Sequence, residues 1–426
     1  MDGFDYVGRK IDVVIDDLSI RQLKQKVLDT WGIVSNKVLP TLAIDDFSKT
    51  IAHPDVRLST PELVLKYGYQ PEIHKIQTDD GYILTVDRIA GGAKYPPRLG
   101  KPVVFLQHGI LSSSADWVIM GPSKSLGYLL SDEGFDVWMG NSRGNSYSKA
   151  HVNISTSNSK YWDFTWHEMG VYDIPAVIDY ILNVTKKTSI SYIGHSQGIS
   201  QLLVTLSEKP EYNSKISHVM AFAPMAYAGN MRSPIVTPFA RISTPLYYFL
   251  RLVGVNSFLP TNAFLTEIGR DVCETRSPIQ IICSNALFLA TGYDSGQMNK
   301  TLVPLILGHV PAGASTKQFV HYAQLYNSKK FRQFDYSVSY LNRLKYQQSE
   351  PPEYNLQNVR VPVSIFYGQN DLLADSKDVE RLGNELPNVV LKHKVALEHF
   401  NHIDFLYGVD VPVLVYQPVI QSLRKN

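Results

Sequence analysis

Gly194-His195-Ser196-Gln197-Gly198 offers the strongest chemistry in this chain. A serine between two glycines at this spacing can act as a nucleophile when a strand precedes it and a helix follows. Ser189-Ile190-Ser191-Tyr192-Ile193 reads as the strand, and Ser200-Gln201-Leu202-Leu203-Val204-Thr205-Leu206 as the helix. The turn between them requires a strained backbone at Ser196, and a side chain at either glycine would crowd the adjoining strand and helix. That geometry lifts the serine oxygen above a sheet and aims the Gln197 amide at the same spot. A plain Gly/Ser turn between two ordinary elements is the alternative, and the flanks favour the nucleophile.

A serine hydroxyl is a poor nucleophile near neutrality and needs a base, which in turn needs an orienting carboxylate. The chain order to look for is serine, then acid, then histidine, each from a loop at the carboxyl end of a strand. Asp371 is the first carboxylate past the apolar run Pro362-Val363-Ser364-Ile365-Phe366-Tyr367 and is the candidate acid. Asp375, four residues on, reads as a solvated helix-start residue favoured by the helix dipole. Beyond a further run, Val389-Val390-Leu391-Lys392-His393, the loop from Leu397 to Phe405 offers His399 and His402 as the base. Spacing barely separates them, although the apolar run after His402 would place it at a helix start. A tetrahedral intermediate also needs N–H donors for its oxyanion. The Gln197 amide is one, and the Ile110 amide, in Gln107-His108-Gly109-Ile110, is the other.

Other patterns lead nowhere. His167-Glu168-Met169-Gly170-Val171 has valine where a zinc-binding H-E-x-x-H needs its second histidine. Gly91-Gly92 and Gly140-Asn141-Ser142-Arg143-Gly144-Asn145 lack the spacing of a phosphate-binding loop. The chemistry requires no metal and no cofactor.

The elements that must position these residues alternate between strand and helix. Val103-Val104-Phe105-Leu106 and Phe135-Asp136-Val137-Trp138-Met139 read as buried parallel strands, as do Ile190 to Ile193, His218 to Ala223 and Pro362 to Tyr367. Val177, Ile178, Ile181 and Leu182 sit at helical spacing between two of them. The pattern predicts an α/β fold, a mostly parallel central sheet with helices on both faces. The stretch from Tyr227 to Asn355 is far longer than a single crossover needs. It predicts an inserted helical cap over 227–355, dividing the core into 53–226 and 356–426. Residues 1–52 form an N-terminal extension, a pro-segment or peripheral helix, with a capping-box pattern at Ser19-Ile20-Arg21-Gln22.

Bulk properties bound the rest. The 426 residues are 44% hydrophobic and 19% charged, a globular composition with a large core. A formal net charge of +2 argues against a nucleic-acid partner. The most apolar stretch, Thr244 to Phe258, is interrupted by Arg251, so no transmembrane segment is predicted. The first residues, Met1-Asp2-Gly3-Phe4-Asp5-Tyr6, lack the apolar core of a signal peptide. Cys273 and Cys283 could form one disulfide or remain two buried thiols. Asn153, Asn183 and Asn299 begin N-x-[ST] glycosylation triplets.

With these residues in view, the chain resembles the acid lipase family of gastric and lysosomal lipases and their insect relatives, from about His53 to near the C-terminus. The segments that carry the resemblance are Phe105-Leu106-Gln107-His108-Gly109, Asp136 to Asn145, Gly194 to Gly198, Cys283-Ser284-Asn285-Ala286-Leu287-Phe288, Asp371-Leu372-Leu373-Ala374-Asp375 and Asn401-His402-Ile403-Asp404-Phe405. The resemblance implies an α/β-hydrolase fold, with a lid within the cap. It implies Ser196 as nucleophile, Asp371 as acid, His402 as base, and the Ile110 and Gln197 amides as oxyanion donors. It favours a Cys273–Cys283 disulfide in the lid. It further implies a glycosylated protein, secreted or delivered to the lysosome, that hydrolyses triacylglycerols or sterol esters at a lipid–water interface and tolerates acid pH. The expected form is a monomer. Residues 1–50 have no counterpart in the family pattern, and Ile110 stands where vertebrate members commonly carry leucine. Two alternatives remain on the same fold: a short-chain or hormone esterase, and a catalytically inactive lipid carrier.

Overall fold

The computed structural model describes residues 54–234, 236–252, 254–258 and 290–425. The expectations for the 1–52 extension and for Cys273 and Cys283 fall outside the described residues.

In chain order the strands are β1 (Gln70–Gln77), β2 (Tyr82–Gly91), β3 (Val103–Gln107), β4 (Asp136–Met139), β5 (Ala150–His151), β6 (Ile190–His195), β7 (Ile216–Phe222), β8 (Ser257–Phe258), β9 (Ala314–Ser315), β10 (Val363–Tyr367) and β11 (Val389–Lys394). The main sheet is nine-stranded, in the order β1-β2-β4-β3-β6-β7-β10-β11, with β5 beside β2. From β4 to β11 all neighbours are parallel, whereas β1, β2 and β4 pair antiparallel. β8 and β9 form a separate antiparallel pair. Every residue of β3, β4 and β10 is buried, which is why these strands are mostly apolar, with Gln107, Asp136 and Ser364 as the polar exceptions.

The helices that frame the sheet are α1 (Thr60–Lys66), α2 (Leu126–Asp132), α3 (Ile174–Thr185), α4 (Gln197–Glu208), α5 (Ser243–Leu252), α6 (Val303–His309), α7 (Thr316–Ser328), α8 (Ser339–Tyr346), α9 (Ser376–Glu385) and α10 (Gln417–Lys425). The fold is the expected α/β class, with strand and helix alternating through the parallel part. α3 covers the Val177–Leu182 pattern and buries Val177, Ile178 and Ile181. α4 is buried on every face from Gln197 to Ser207, as a helix in the centre of a large protein must be. Among the described residues, no helix is long and apolar enough to cross a membrane.

Between β7 and β10 the chain leaves the sheet and returns, and its described part carries α5 to α8. This excursion is fastened to the core near β9. Ser315 Oγ donates to the carbonyls of Trp162 and Phe164, both at 2.9 Å. Lys317 Nζ donates to Asp163 Oδ1 at 2.7 Å. Burial alone would discharge Lys317, yet Asp163, with Tyr336 and Glu168, pushes its pKa well above the ordinary lysine value. A paired buried ammonium of this kind fixes register, because a misplaced one would be stranded without compensation.

Candidate active site

The site grows from the β6–α4 junction. Ser196 occupies it with φ 53° and ψ −115°, a conformation that costs a non-glycine residue roughly 1–3 kcal/mol. Steric crowding explains both flanking glycines. A Cβ on Gly198 would lie 2.4 Å from the Gln107 carbonyl oxygen, and one on Gly194 would lie 2.6 Å from Ile199 Cδ1. The Ser196 amide donates to the Phe222 carbonyl of β7 at 2.9 Å, which anchors the turn to the neighbouring strand. Gln197 opens α4, so its N–H is one of the amides for which the helix supplies no carbonyl.

Asp371 follows β10 and is fully buried. Its Oδ1 accepts the amides of Leu373 and Ala374, both at 2.8 Å. Its Oδ2 accepts from His402 Nδ1 at 2.7 Å. With the proton on Nδ1, Nε2 of His402 is the basic atom. His402 is 4% exposed and sits in a turn that its neighbours close: Asn401 Oδ1 accepts the Ile403 amide at 2.9 Å, and Asp404 Oδ2 accepts the Asn401 amide at 2.7 Å. His399, the other candidate, offers only its backbone carbonyl to this region, accepting from Asn370 Nδ2 at 3.1 Å.

The serine is joined to the histidine through its neighbour. His195 Nε2 donates to the His402 carbonyl at 2.9 Å, and the two rings lie 4.8 Å apart. Burial pushes the His195 pKa well below the usual histidine range, so the ring stays neutral. Among the described residues, Ser196 Oγ makes no hydrogen bond. In serine hydrolases without substrate such bonds are often long and tighten as the reaction complex forms.

The loop after β3 lies against the serine. A Cβ on Gly109 would be 3.1 Å from Ser196 Cβ. Ile110 is half-buried and packs on the core. His108 fixes this loop from behind: its Nδ1 donates to the Gly109 carbonyl at 2.6 Å and its Nε2 accepts the Ser142 amide at 3.0 Å. Burial lowers the His108 pKa to about 4, which keeps the ring neutral and the tautomer fixed. Asn145 Nδ2 donates to the Ser112 carbonyl at 3.2 Å. Asn141 Oδ1 accepts the Ser114 amide at 2.9 Å. The Gly140–Asn145 segment is therefore a buried scaffold for the loop.

Sequence reasoning missed the supporting roles of His195, His108, Asn141 and Asn145. The Asn401–Asp404 bracket was legible in principle, since Asn followed three residues later by an acid is a capping pattern. Asp375 caps α9, its Oδ1 accepting the Lys377 amide at 2.9 Å. Asn153, Asn183 and Asn299 are all exposed. Among the described residues, no cluster of histidine, cysteine and acidic side chains could hold a metal ion.

Comparison with known proteins gives a consistent picture. A family model described as a partial alpha/beta-hydrolase lipase region matches residues 60–121, and one for the alpha/beta hydrolase fold matches residues 102–409. Lipase 3 of Drosophila melanogaster is 44% identical over 84% of this chain and 90% of its own length. Lysosomal acid lipase/cholesteryl ester hydrolase of Homo sapiens is 37% identical over 88% of this chain and 93% of its own. Gastric triacylglycerol lipase of Rattus norvegicus is 38% identical over 88% and 93%. Among solved structures, a soluble variant of monoglyceride lipase from Saccharomyces cerevisiae superposes with a TM-score of 0.51 at 16% identity, over 84% of this chain and 97% of that one. The last likeness bears on the fold.

Proposed function

The chain belongs to the acid lipase family, and we propose that Ser196, Asp371 and His402 are the nucleophile, acid and base with which it hydrolyses lipid esters. Ser196 Oγ attacks the ester carbonyl. His402 Nε2 takes the serine proton and passes it to the departing alcohol. Asp371 holds the imidazole in the tautomer that leaves Nε2 basic, and stabilises the cation that forms. The Ile110 and Gln197 amides receive the oxyanion, each contributing about 3 kcal/mol in comparable enzymes. Water then attacks the acyl-serine by the same route and releases fatty acid. The observation that carries this reading is the 2.7 Å His402–Asp371 hydrogen bond, tied to the strained serine through His195.

The excursion over 227–355 is the proposed cap that shelters the acyl chain and opens at a lipid surface. The test is turnover of triolein and of a soluble short-chain ester by the wild type and by Ser196→Ala. Loss of at least about 10³-fold in the variant is expected for both esters. Undiminished turnover would end the assignment. A wild type active only on the soluble ester would favour the short-chain esterase.

We also propose that the protein is secreted or lysosomal, glycosylated, and closed by a Cys273–Cys283 disulfide. The names of the gastric and lysosomal relatives and the exposure of the three asparagines support this. Intact-mass analysis of native protein should find glycan mass and no free thiol; an unmodified mass with two reactive thiols would contradict it.

A further inference from the structure

We propose that Asp116 is a positioning residue whose buried carboxylate ties the oxyanion loop to the segment carrying His402, and so sets the spacing between the Ile110 amide and the imidazole. The proposal rests on the roles given above to Ile110 and His402.

Asp116 is 2% exposed and bridges two parts of the chain that lie far apart in sequence. Ser112 Oγ donates to its Oδ2, and Tyr407 Oη donates to its Oδ1 at 2.7 Å. Ser112 lies two residues beyond Ile110. Tyr407 closes the short helix Asp404–Tyr407, which begins two residues beyond His402. The carboxylate thus joins a residue two positions past Ile110 to one five positions past His402.

Its own support is firm. Asp116 belongs to the 3₁₀ turn Ser114–Trp117. Ser114 is held at both ends, its amide donating to Asn141 Oδ1 at 2.9 Å and its Oγ to Asp87 Oδ2 at 2.7 Å. The loop it restrains is strained: Leu111, between Ile110 and Ser112, has φ 63° without being glycine. A residue held in the left-handed region relaxes unless its surroundings over-determine it. The Ala312 amide holds the Leu111 carbonyl at 2.6 Å, and Asp116 holds the next residue. Two apolar side chains would fill this space at lower cost than a buried carboxyl group. What the carboxylate adds is a pair of directional, charge-assisted bonds, one to the oxyanion loop and one to the helix end at Tyr407.

The arrangement also has a pH signature. Burial raises the Asp116 pKa to about 6, against the lowering effect of the two hydroxyl donors. The titratable groups facing it are the phenols of Tyr407 and Tyr416, both pushed above the ordinary phenol range. Loss of either donor should therefore lift the carboxyl further.

The experiment compares Ser112→Ala, Tyr407→Phe, the double variant and the wild type on p-nitrophenyl butyrate across acid to neutral pH. Melting temperature and near-UV circular dichroism serve as the check on folding. Each single variant should lower kcat by about tenfold or more, with KM within about twofold, as expected for a displaced catalytic group. The double variant should lose no more than the worse single one, because the tie is already cut. The inflection that ionisation of Asp116 places in the wild-type kcat profile near pH 6 should be lost in both single variants, because neither retains the tie. The two substitutions cut the same tie from opposite ends, so either one that folds decides the matter. Folded variants with wild-type kcat and an unmoved profile would overturn the brace while leaving the Ser196 reading intact, whereas activity in Ser196→Ala would instead remove that reading.

Discussion

A serine hydroxyl has no nucleophilic strength of its own at neutral pH, so at the residue scale the proposed mechanism turns on how His402 is held. Three groups hold it: Asp371 from the side, the His195 ring at its carbonyl, and the Asn401–Asp404 bracket around its turn. Asp404 has its own thermodynamic consequence. Burial, with Asp294 and Asp371 nearby, pushes its pKa up to about 8, so the folded protein keeps this carboxyl neutral where the unfolded chain has ionised it. A carboxyl raised on folding contributes stability at acid pH that is lost as pH climbs from about 4 through about 8. Asp404→Asn mimics the neutral form at every pH and can still accept the Asn401 amide. The melting temperature of this variant, relative to wild type, should therefore rise by several degrees between about pH 5 and pH 8. Thermal melts at the two pH values check this, and a pH-independent difference would contradict it. At this scale the proposed triad of Ser196, Asp371 and His402 could be read from the sequence because a nucleophile, acid and base on this fold follow strand ends in order. His195 and His108 could not, because the partners of a buried imidazole are set by the fold, and in sequence either histidine looks like any other polar residue.

At the scale of elements, the parallel strands were legible because burial on both faces leaves a mostly apolar signature. β6 and β10 appear within a few residues of their expected bounds. β1 and β2 were not anticipated. β1 is polar and largely exposed, as an edge strand can be, and β2 carries Asp87 and Arg88 within it. Asp87 accepts from Ser114 and Asn141, and Arg88 pairs with Asp136 of β4, so side-chain partners rather than an apolar pattern stabilise that part of the sheet. The elements also show how an excursion off the sheet stays in register with the site. Tyr322 of α7 meets Ser200 of α4, Oη to Oγ, at 2.8 Å, one helical turn past Ser196. Sequence patterns cannot reveal such a contact, since neither residue is unusual on its own helix.

At the scale of the whole molecule, the sheet brings residues from three distant stretches to one end of its parallel strands, where an open α/β sheet places its ligands. β6 delivers Ser196, the turn after β10 delivers Asp371, and the turn after β11 delivers His402. The loop after β3 closes the arrangement. The central claim is that this convergence makes Ser196 the nucleophile of a lipid-ester hydrolase. The most direct measurement is reaction of the full-length protein with a long-chain alkyl fluorophosphonate, followed by peptide mapping of the adduct. The account predicts stoichiometric modification at Ser196, abolished in Ser196→Ala and strongly slowed in His402→Ala. An unlabelled protein, or an adduct carried by a different residue, would contradict it.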